Sequence, residues 1–374
     1  MAQSSYQGDF FQTTSSLEET QRKAEKSSNT NGSPIKLRSK ILAIAADPAD
    51  SGSVYVAESA GNLRRVVLET GKSAALYKGP TAPVTSICFN PSGTQVFAGC
   101  WDKSIWSWDV ATKEVKKRYE GHTDFVKTVI CERIGDRDLL ISGCADAEII
   151  IWDVQDGRRL EVLKGHTMGI LDLAVDPLLQ DDQSSRATLF SASSDRLIKR
   201  YDIPSGADAE GEAGPIKAHE TSVCRLYFDA DGDLWTASAD KTVKSLSRAN
   251  AWKPDLELTH PDFVRDVAVH EQGGWVVSAC RDEEVRVWNR ATGELYHTYS
   301  GHFEEVTGLI LCGNTIVSVS IDATIRQWSL HPDELQRAKV EAENPAPKGE
   351  PEPEAENLLT EEEERELAEL MGDD

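Results

Sequence analysis

The sequence predicts an all-β fold, a β-propeller of seven blades, and three observations predict it. First, a chain-reversing Asp recurs with an aromatic or apolar residue six positions later. Asp102, Asp146, Asp282 and Asp322 lead to Trp108, Trp152, Trp288 and Trp328, while Asp195 and Asp240 lead to Tyr201 and Leu246. A worn copy runs from Gly61 to Val67. Second, these closing residues are 41, 44, 49, 45, 42 and 40 residues apart. A period of about 40–45 residues with strands in every unit matches one propeller blade. Third, each unit alternates apolar and polar residues between Gly, Asp and Asn turn signals. Unit three shows it well: Val126 to Cys131, Leu139 to Gly143, a turn at Ala145-Asp146, a strand to Trp152, a turn at Gly157 and a strand to Leu163.

The seven units span 35–340 as one ring and leave no room for another globular domain. Residues 1–34 are polar and poor in large apolar side chains, which reads as a disordered arm. Within it, Leu17 to Lys26 allows a short helix. Two polar stretches, 177–187 and 204–215, read as surface loops. The last outer strand can come from Glu334 to Lys339 or from Pro34 to Arg38. The N-terminal segment is the preferred of the two, because joining the chain ends removes an open sheet edge. Residues 341–357 form an acidic Pro/Glu spacer. Residues 358–374 read as a short acidic amphipathic helix with Thr360 as N-cap, Glu363 at the reciprocal position and an apolar stripe of Leu367, Leu370 and Met371.

Composition narrows the function. The net charge is −23, and residues 341–374 carry fourteen carboxylates against Lys348 and Arg365, so about half of the excess is tail. With no basic stripe, direct nucleic-acid binding is disfavoured, and basic or neutral protein partners are favoured. Apolar runs such as Ile149 to Trp152 are strand length, so no membrane insertion is expected. The Ser- and Thr-rich start carries no readable secretory signal. Seven Cys lack any C-x-x-C pair, and Cys100, Cys144 and Cys280 recur shortly before the turn Asp as small buried hydrophobes. No metal or cofactor is expected, and a reducing cytoplasm or nucleus fits. Nothing calls for homo-oligomerisation.

These motifs resemble the WD-repeat β-propellers over residues 35–340. The resemblance implies, within each blade, a hydrogen-bonded set of a His before the first strand, a Ser or Thr in the second, the turn Asp and the third-strand Trp. Complete sets are His122, Ser142, Asp146 and Trp152; His260, Ser278, Asp282 and Trp288; and His302, Ser318, Asp322 and Trp328. His166, Ser191 and Asp195 have Tyr201, and His219, Thr236 and Asp240 have Leu246. Unit two puts Pro80 and Ala98 where His and Ser would stand. Ser, His and Asp together suggest a hydrolase triad, but a constellation repeated around a ring is structural, so no catalytic residue is expected. His270, His297 and His331 are scattered without metal-ligand spacing. Ala111 and Gln155 stand where ubiquitin-ligase receptors of the family often carry Arg, and residues 1–34 lack the heptads of a G-protein β subunit.

The resemblance also implies docking on the face where the loops between blades and the turns before the third strands emerge. Residues preceding the turn Asp include Trp101, Arg281 and Ile321; residues entering the first strand add Phe125, Met168, Asp262, Phe263 and Glu304. Trp and Arg dominate interface energetics. The sequence therefore reads as a non-enzymatic scaffold in a multi-subunit protein complex, docking partners on this face and through the C-terminal helix. The alternative is a substrate-recruiting or peptide-reading subunit of a ubiquitin-ligase or chromatin-modifying complex, with Asp262, Glu304 and Glu305 suited to a basic peptide.

Overall fold

The second strand of each repeat is rich in apolar residues and buried along nearly its whole length, rather than on alternate residues, as in Gln95–Cys100, Arg137–Cys144 and Thr315–Ser320. Alternation is expected where one face meets solvent; a continuous apolar run is expected where both faces are covered. In the computed structural model both faces are covered, because every blade is sandwiched between two others. It describes residues 21–178 (residue 25 excepted), 186–203, 207–208 and 214–343. Among these, 28 strands form seven four-stranded antiparallel sheets. Contact density divides the chain into two units, 1–335 and 336–374; the propeller belongs to the first.

Blades one to six take four consecutive strands each, beginning at Ile41, Val84, Val126, Ile170, Val223 and Val264. The buried residues fall into seven apolar clusters, and each bridges two neighbouring blades. Trp152 of blade three packs among Phe97, Ile105 and Tyr119 of blade two, and Trp328 of blade seven among Val277, Val285 and Val287 of blade six. The outer strand of blade two, Val115–Glu120, exposes Lys116 and Arg118, charges that blunt its free edge.

Blade seven takes three strands from the C-terminal end of the ring and its outer strand, Ile35–Lys36, from the N-terminal end. Ile35 pairs with Ile325 and Lys36 with Thr324, antiparallel. Of the two closing segments the sequence allowed, the N-terminal one is used. The other, 334–339, lies in a helix, Pro332–Glu343, with Asp333 and Glu334 in its first turn. The helix crosses the propeller–spacer boundary placed at 340 from sequence. Leu335 at its start is fully buried in the blade six–seven cluster beside Trp328 and Leu330.

The structure also differs from the sequence reading at 21–34. Residues 21–24 and 26–27 are helical, in line with the short helix allowed at Leu17 to Lys26, but the segment is tied to blades six and seven rather than being a disordered arm. Arg22 pairs with Glu283, Lys23 with Glu304, and Lys26 with Glu283 and Glu284, at 2.7–2.9 Å. The side-chain amides of Asn29 and Asn31 donate to the carbonyls of Gly301 and Ser300. Fully buried Arg326 donates to Asn29 Oδ1 and the Asn31 carbonyl. A polar segment is held here by charge and amide contacts rather than by its own apolar burial. Residues 1–20, most of loop 177–187 and the sequence-predicted helix 358–374 lie outside the described residues. Within 204–215, read as loop, Ala207–Asp208 forms the short outer strand of blade four.

Deleting residues 1–36 removes the seventh blade's outer strand and both acceptors of the buried Arg326 Nη1. The shortened chain is expected to melt about 5 °C or more below the full chain by calorimetry; equal melting temperatures would show that closure does not depend on this strand.

Candidate functional site

In every blade a backbone hydrogen bond ties the residue before the third-strand turn to the loop entering the first strand. The pairs are Ser59 to Lys40, Trp101 to Pro83, Ala145 to Phe125, Ser194 to Gly169, Ala239 to Ser222, Arg281 to Phe263 and Ile321 to Glu305. These seven bonds define one face of the ring. Two residues past each loop partner the first strand is interrupted by a bulge, which skips Leu42, Thr85, Lys127, Leu171, Cys224, Arg265 and Thr307 in pairing. A bulge re-aims its side chain out of the ladder. Those seven residues line the mouth of the central channel together with Trp101, Glu305 and Ile321, around a cavity of about 370 Å³.

Trp101 and Phe125 are each 38% exposed and stack at 5.0 Å with an interplanar angle of 18°. Lys127 Nζ lies over both rings, 5.4 and 5.9 Å from their centroids. On blade six, the Arg281 guanidinium lies 5.2 Å from the Phe263 ring centroid and 4.0 Å from Asp262, whose carboxylate caps the Phe263 N–H. The sequence-predicted residues thus form two groups, Trp101, Phe125 and Ile321 near the mouth and Asp262, Phe263 and Arg281 on blade six. Met168 is exposed on blade four outside both.

The acids expected to attract a basic peptide are engaged within the chain. Glu304 pairs with Lys23 and Glu305 with Arg265. Lys127 and Arg265 were missed by reading motifs around the turn Asp. Aligning the repeats on the β-branched residue that opens each first strand, Ile41, Val84, Val126, Ile170, Val223, Val264 and Val306, places the bulge position one residue later.

At and below the mouth, side chains stitch six of the seven first strands to the next blade; blade one's, Ile41–Ala46, is wholly apolar. Thr85 Oγ1 donates to the Val126 carbonyl, Thr128 to Asp172, and Thr307 to the Ile41 carbonyl. Asp172 accepts from Leu226 N–H at 2.9 Å, and Asp266 from Leu309 N–H at 2.8 Å. Arg225 lies between them, 3.6 Å from Asp172 and 3.0 Å from Asp266. Burial pushes both carboxyls up from their ordinary range, against the opposing pull of Arg225.

The His–Ser–Asp contacts recur with variations. In blade seven the set is closed: His302 meets Ser318 at 2.8 Å and Asp322 at 2.9 Å, and Trp328 donates to Ser318. Blades four and five repeat the His contacts with Ser191 and Asp195, and with Thr236 and Asp240. Two sets expected to be complete are not. In blade three His122 reaches Ser142, but its Nδ1 stands 3.8 Å from Asp146. In blade six Asp282 is taken by Arg286, and His260 Nδ1 faces the Leu258 carbonyl instead. Blade two, with Ala98, sends the Trp108 N–H to the Lys78 carbonyl.

His122, Cys144 and Asp146 bring ligand-type atoms within 4.8 Å of one another. Asp146 already accepts from the Thr123 N–H and hydroxyl and from Glu148 N–H, and burial pushes the Cys144 thiol up to about 12. Asp146 is thus occupied with the blade's own hydrogen bonds and His122 Nε2 with Ser142, while the buried His122 Nδ1 has no hydrogen-bond partner. Burial likewise pushes Cys100 and Cys280 up to about 12, as expected of inert packed thiols.

The profile of the WD domain, G-beta repeat family matches residues 71–109, 113–153, 213–245, 252–289 and 293–329. The chain belongs to the WD-repeat family. The stretches without a match fall on blade one, whose motifs are worn, and blade four, whose loops are long. An uncharacterized WD repeat-containing protein of Schizosaccharomyces pombe is 35% identical over 97% of this chain and 98% of its own length. Nuclear distribution protein PAC1 of Arthroderma otae is 24% identical over 67% of this chain and 62% of its own length. A U3 small nucleolar RNA-associated protein 15 homolog of Xenopus laevis is 27% identical over 68% of this WD-repeat chain and 48% of its own length. Among the described residues no helix is long and apolar enough to cross a membrane.

The buried imidazoles set a pH dependence. Burial holds His122, His166 and His302 below the ordinary value, and burial with nearby Arg286 pushes His260 down to about 4. An imidazole that protonates more readily when unfolded leaves stability intact above its unfolded value of 6.5 and withdraws it as pH falls toward the folded value. Against burial, hydrogen bonds hold Asp195 and Asp322 below the ordinary carboxylate value, so their contribution persists until more acid pH. The melting temperature is expected to be level above about pH 7 and to fall between 6.5 and 4. His260 alone accounts for about 3 kcal/mol of this loss. His260→Gln should flatten the slope; an unchanged pH profile would contradict the assignment.

Proposed function

We propose that this WD-repeat protein is a non-enzymatic docking scaffold that holds protein partners on the face bearing the channel mouth. The observation that carries the reading is the Trp101–Phe125 stack, two large aromatic rings left over a third exposed beside a concave opening. Such rings bury much area at little entropic cost on binding, and aromatic and Arg anchors supply most interface energy. The repeated His–Ser–Asp contacts favour this over an enzyme, since their Ser oxygens are engaged in bonds to buried His and Trp rather than presented to a substrate. Leu367, Leu370 and Met371, at the end of the acidic spacer, are proposed as a second contact. A flexible connection between two contacts raises effective concentration without adding interface area.

The double variant Trp101→Ala with Arg281→Ala is expected to keep the wild-type circular dichroism spectrum and melting temperature. Affinity purification with mass spectrometry from native cells should lose partners that the wild-type chain retains. A chain ending at Asn344 should lose a different subset. An unchanged partner list for the double variant would sink the docking face.

A further inference from the structure

We infer that the segment a partner inserts at this mouth is acidic, carrying carboxylates beside one or more large apolar side chains. The inference rests on the docking reading above and specifies the chemistry of what docks. The net charge of −23 suggests the opposite preference, but net charge says little about one face. Three structural columns repeat around the mouth: the residue before the turn Asp, the residue after it and the bulge residue. They hold Lys103, Lys127, Arg196, Lys241, Arg265 and Arg281. The residue after the turn Asp is left-handed in each of blades two to seven, φ 65–77°. Lys103, Arg196 and Lys241 are all exposed in that column.

The same columns hold one carboxylate, Glu283, which is buried and paired with Arg22 and Lys26. Glu305, which lines the mouth from the adjoining loop, is paired with Arg265. Lys103, Lys127, Arg196 and Lys241 form none of the ion pairs among the described residues; Lys241 donates to the Pro261 carbonyl and Lys127 lies over the Trp101 and Phe125 rings. The N-terminal segment reinforces the asymmetry, because its three cations cover Glu283, Glu284 and Glu304. The loops entering the first strands add Asp124 and Glu220 to this face, and Asp262, which lies 4.0 Å from Arg281. The three columns themselves stay cationic around an apolar mouth lined by Leu42, Trp101, Leu171 and Ile321. Oppositely charged surfaces steer encounter and set register, while desolvated apolar anchors supply affinity. A nucleic acid would also answer the cations, but the mouth offers apolar walls in a compact opening rather than a basic track along a backbone.

The test pans a display library of random peptides of about twelve residues, extended to roughly 40 Å, against the full-length chain. Enriched peptides are then measured by fluorescence anisotropy beside a labelled oligo(dT) of similar length. The expected result is enrichment of net-negative sequences containing Leu, Ile, Phe or Trp. Their affinity should fall about tenfold or more in Lys127→Glu and in Trp101→Ala. It should also fall between about 50 and 300 mM salt, as screening shortens to a few ångströms. Matching circular dichroism spectra and melting temperatures of the variants exclude unfolding as the cause. Enrichment of neutral or basic peptides that still require Trp101 would overturn the acidic preference and leave the docking face standing. Peptides indifferent to both substitutions would overturn the two together. Tighter binding of oligo(dT) than of any enriched peptide would assign the cations to single-stranded nucleic acid and overturn the peptide.

Discussion

The contact between neighbouring blades is what the rest of this molecule depends on. Every apolar cluster bridges two sheets, so each blade supplies half of two cores. The third-strand Trp residues make this concrete. Each of Trp152, Trp288 and Trp328 turns its ring toward the preceding blade while its indole N–H donates to a Ser within its own. Apolar burial joins blades, and the hydrogen bond fixes where in the blade the ring stands. A sheet in this arrangement has nothing to bury against if its neighbour is missing, so the only complete solution is a closed circle.

Closure in turn creates the site. Seven first strands converge on the axis, and a bulge in each delivers one side chain to a common rim. Position in the ring then matters more than blade identity. Blade two has lost the His and Ser of the repeat, and its Trp108 finds a backbone carbonyl instead. Its turn nonetheless presents Trp101 beside Phe125 of blade three, so a worn repeat and an exposed aromatic stack coincide. The polar stitching below, from Thr85 through Asp172 and Arg225 to Asp266 and Thr307, ties the same strands together beneath the rim.

What was legible in the sequence follows the range of the interactions. Ser142 and Trp152 are ten residues apart and bonded, and a contact that short recurs in every good repeat and can be read from spacing. The cluster of cations at the mouth was not legible, because its members come from different blades and their total is masked by an acidic tail. The N-terminal segment failed for a related reason. Arg22 and Glu283 are 261 positions apart, and a polar stretch with few apolar residues looks disordered until its partners are known. The short strand Ala207–Asp208 carries no β-branched or aromatic residue, so propensity could not mark it. Glu304 illustrates the converse, a residue placed on the right face whose charge is already answered by Lys23.

The strand that completes blade seven is synthesised long before the residues it pairs with. Ile35 precedes Ile325 by 290 positions. At roughly 5–20 residues per second, it emerges on the order of 15–60 s before its partner exists. Through that interval six blades can stack, yet the outward faces of blades one and six stay unburied and the first strand has nowhere to go. Nascent chains of this protein therefore carry two sticky surfaces at opposite ends of an arc. Any slowing of the ribosome over the last blade lengthens the time in which those surfaces can find each other on different molecules.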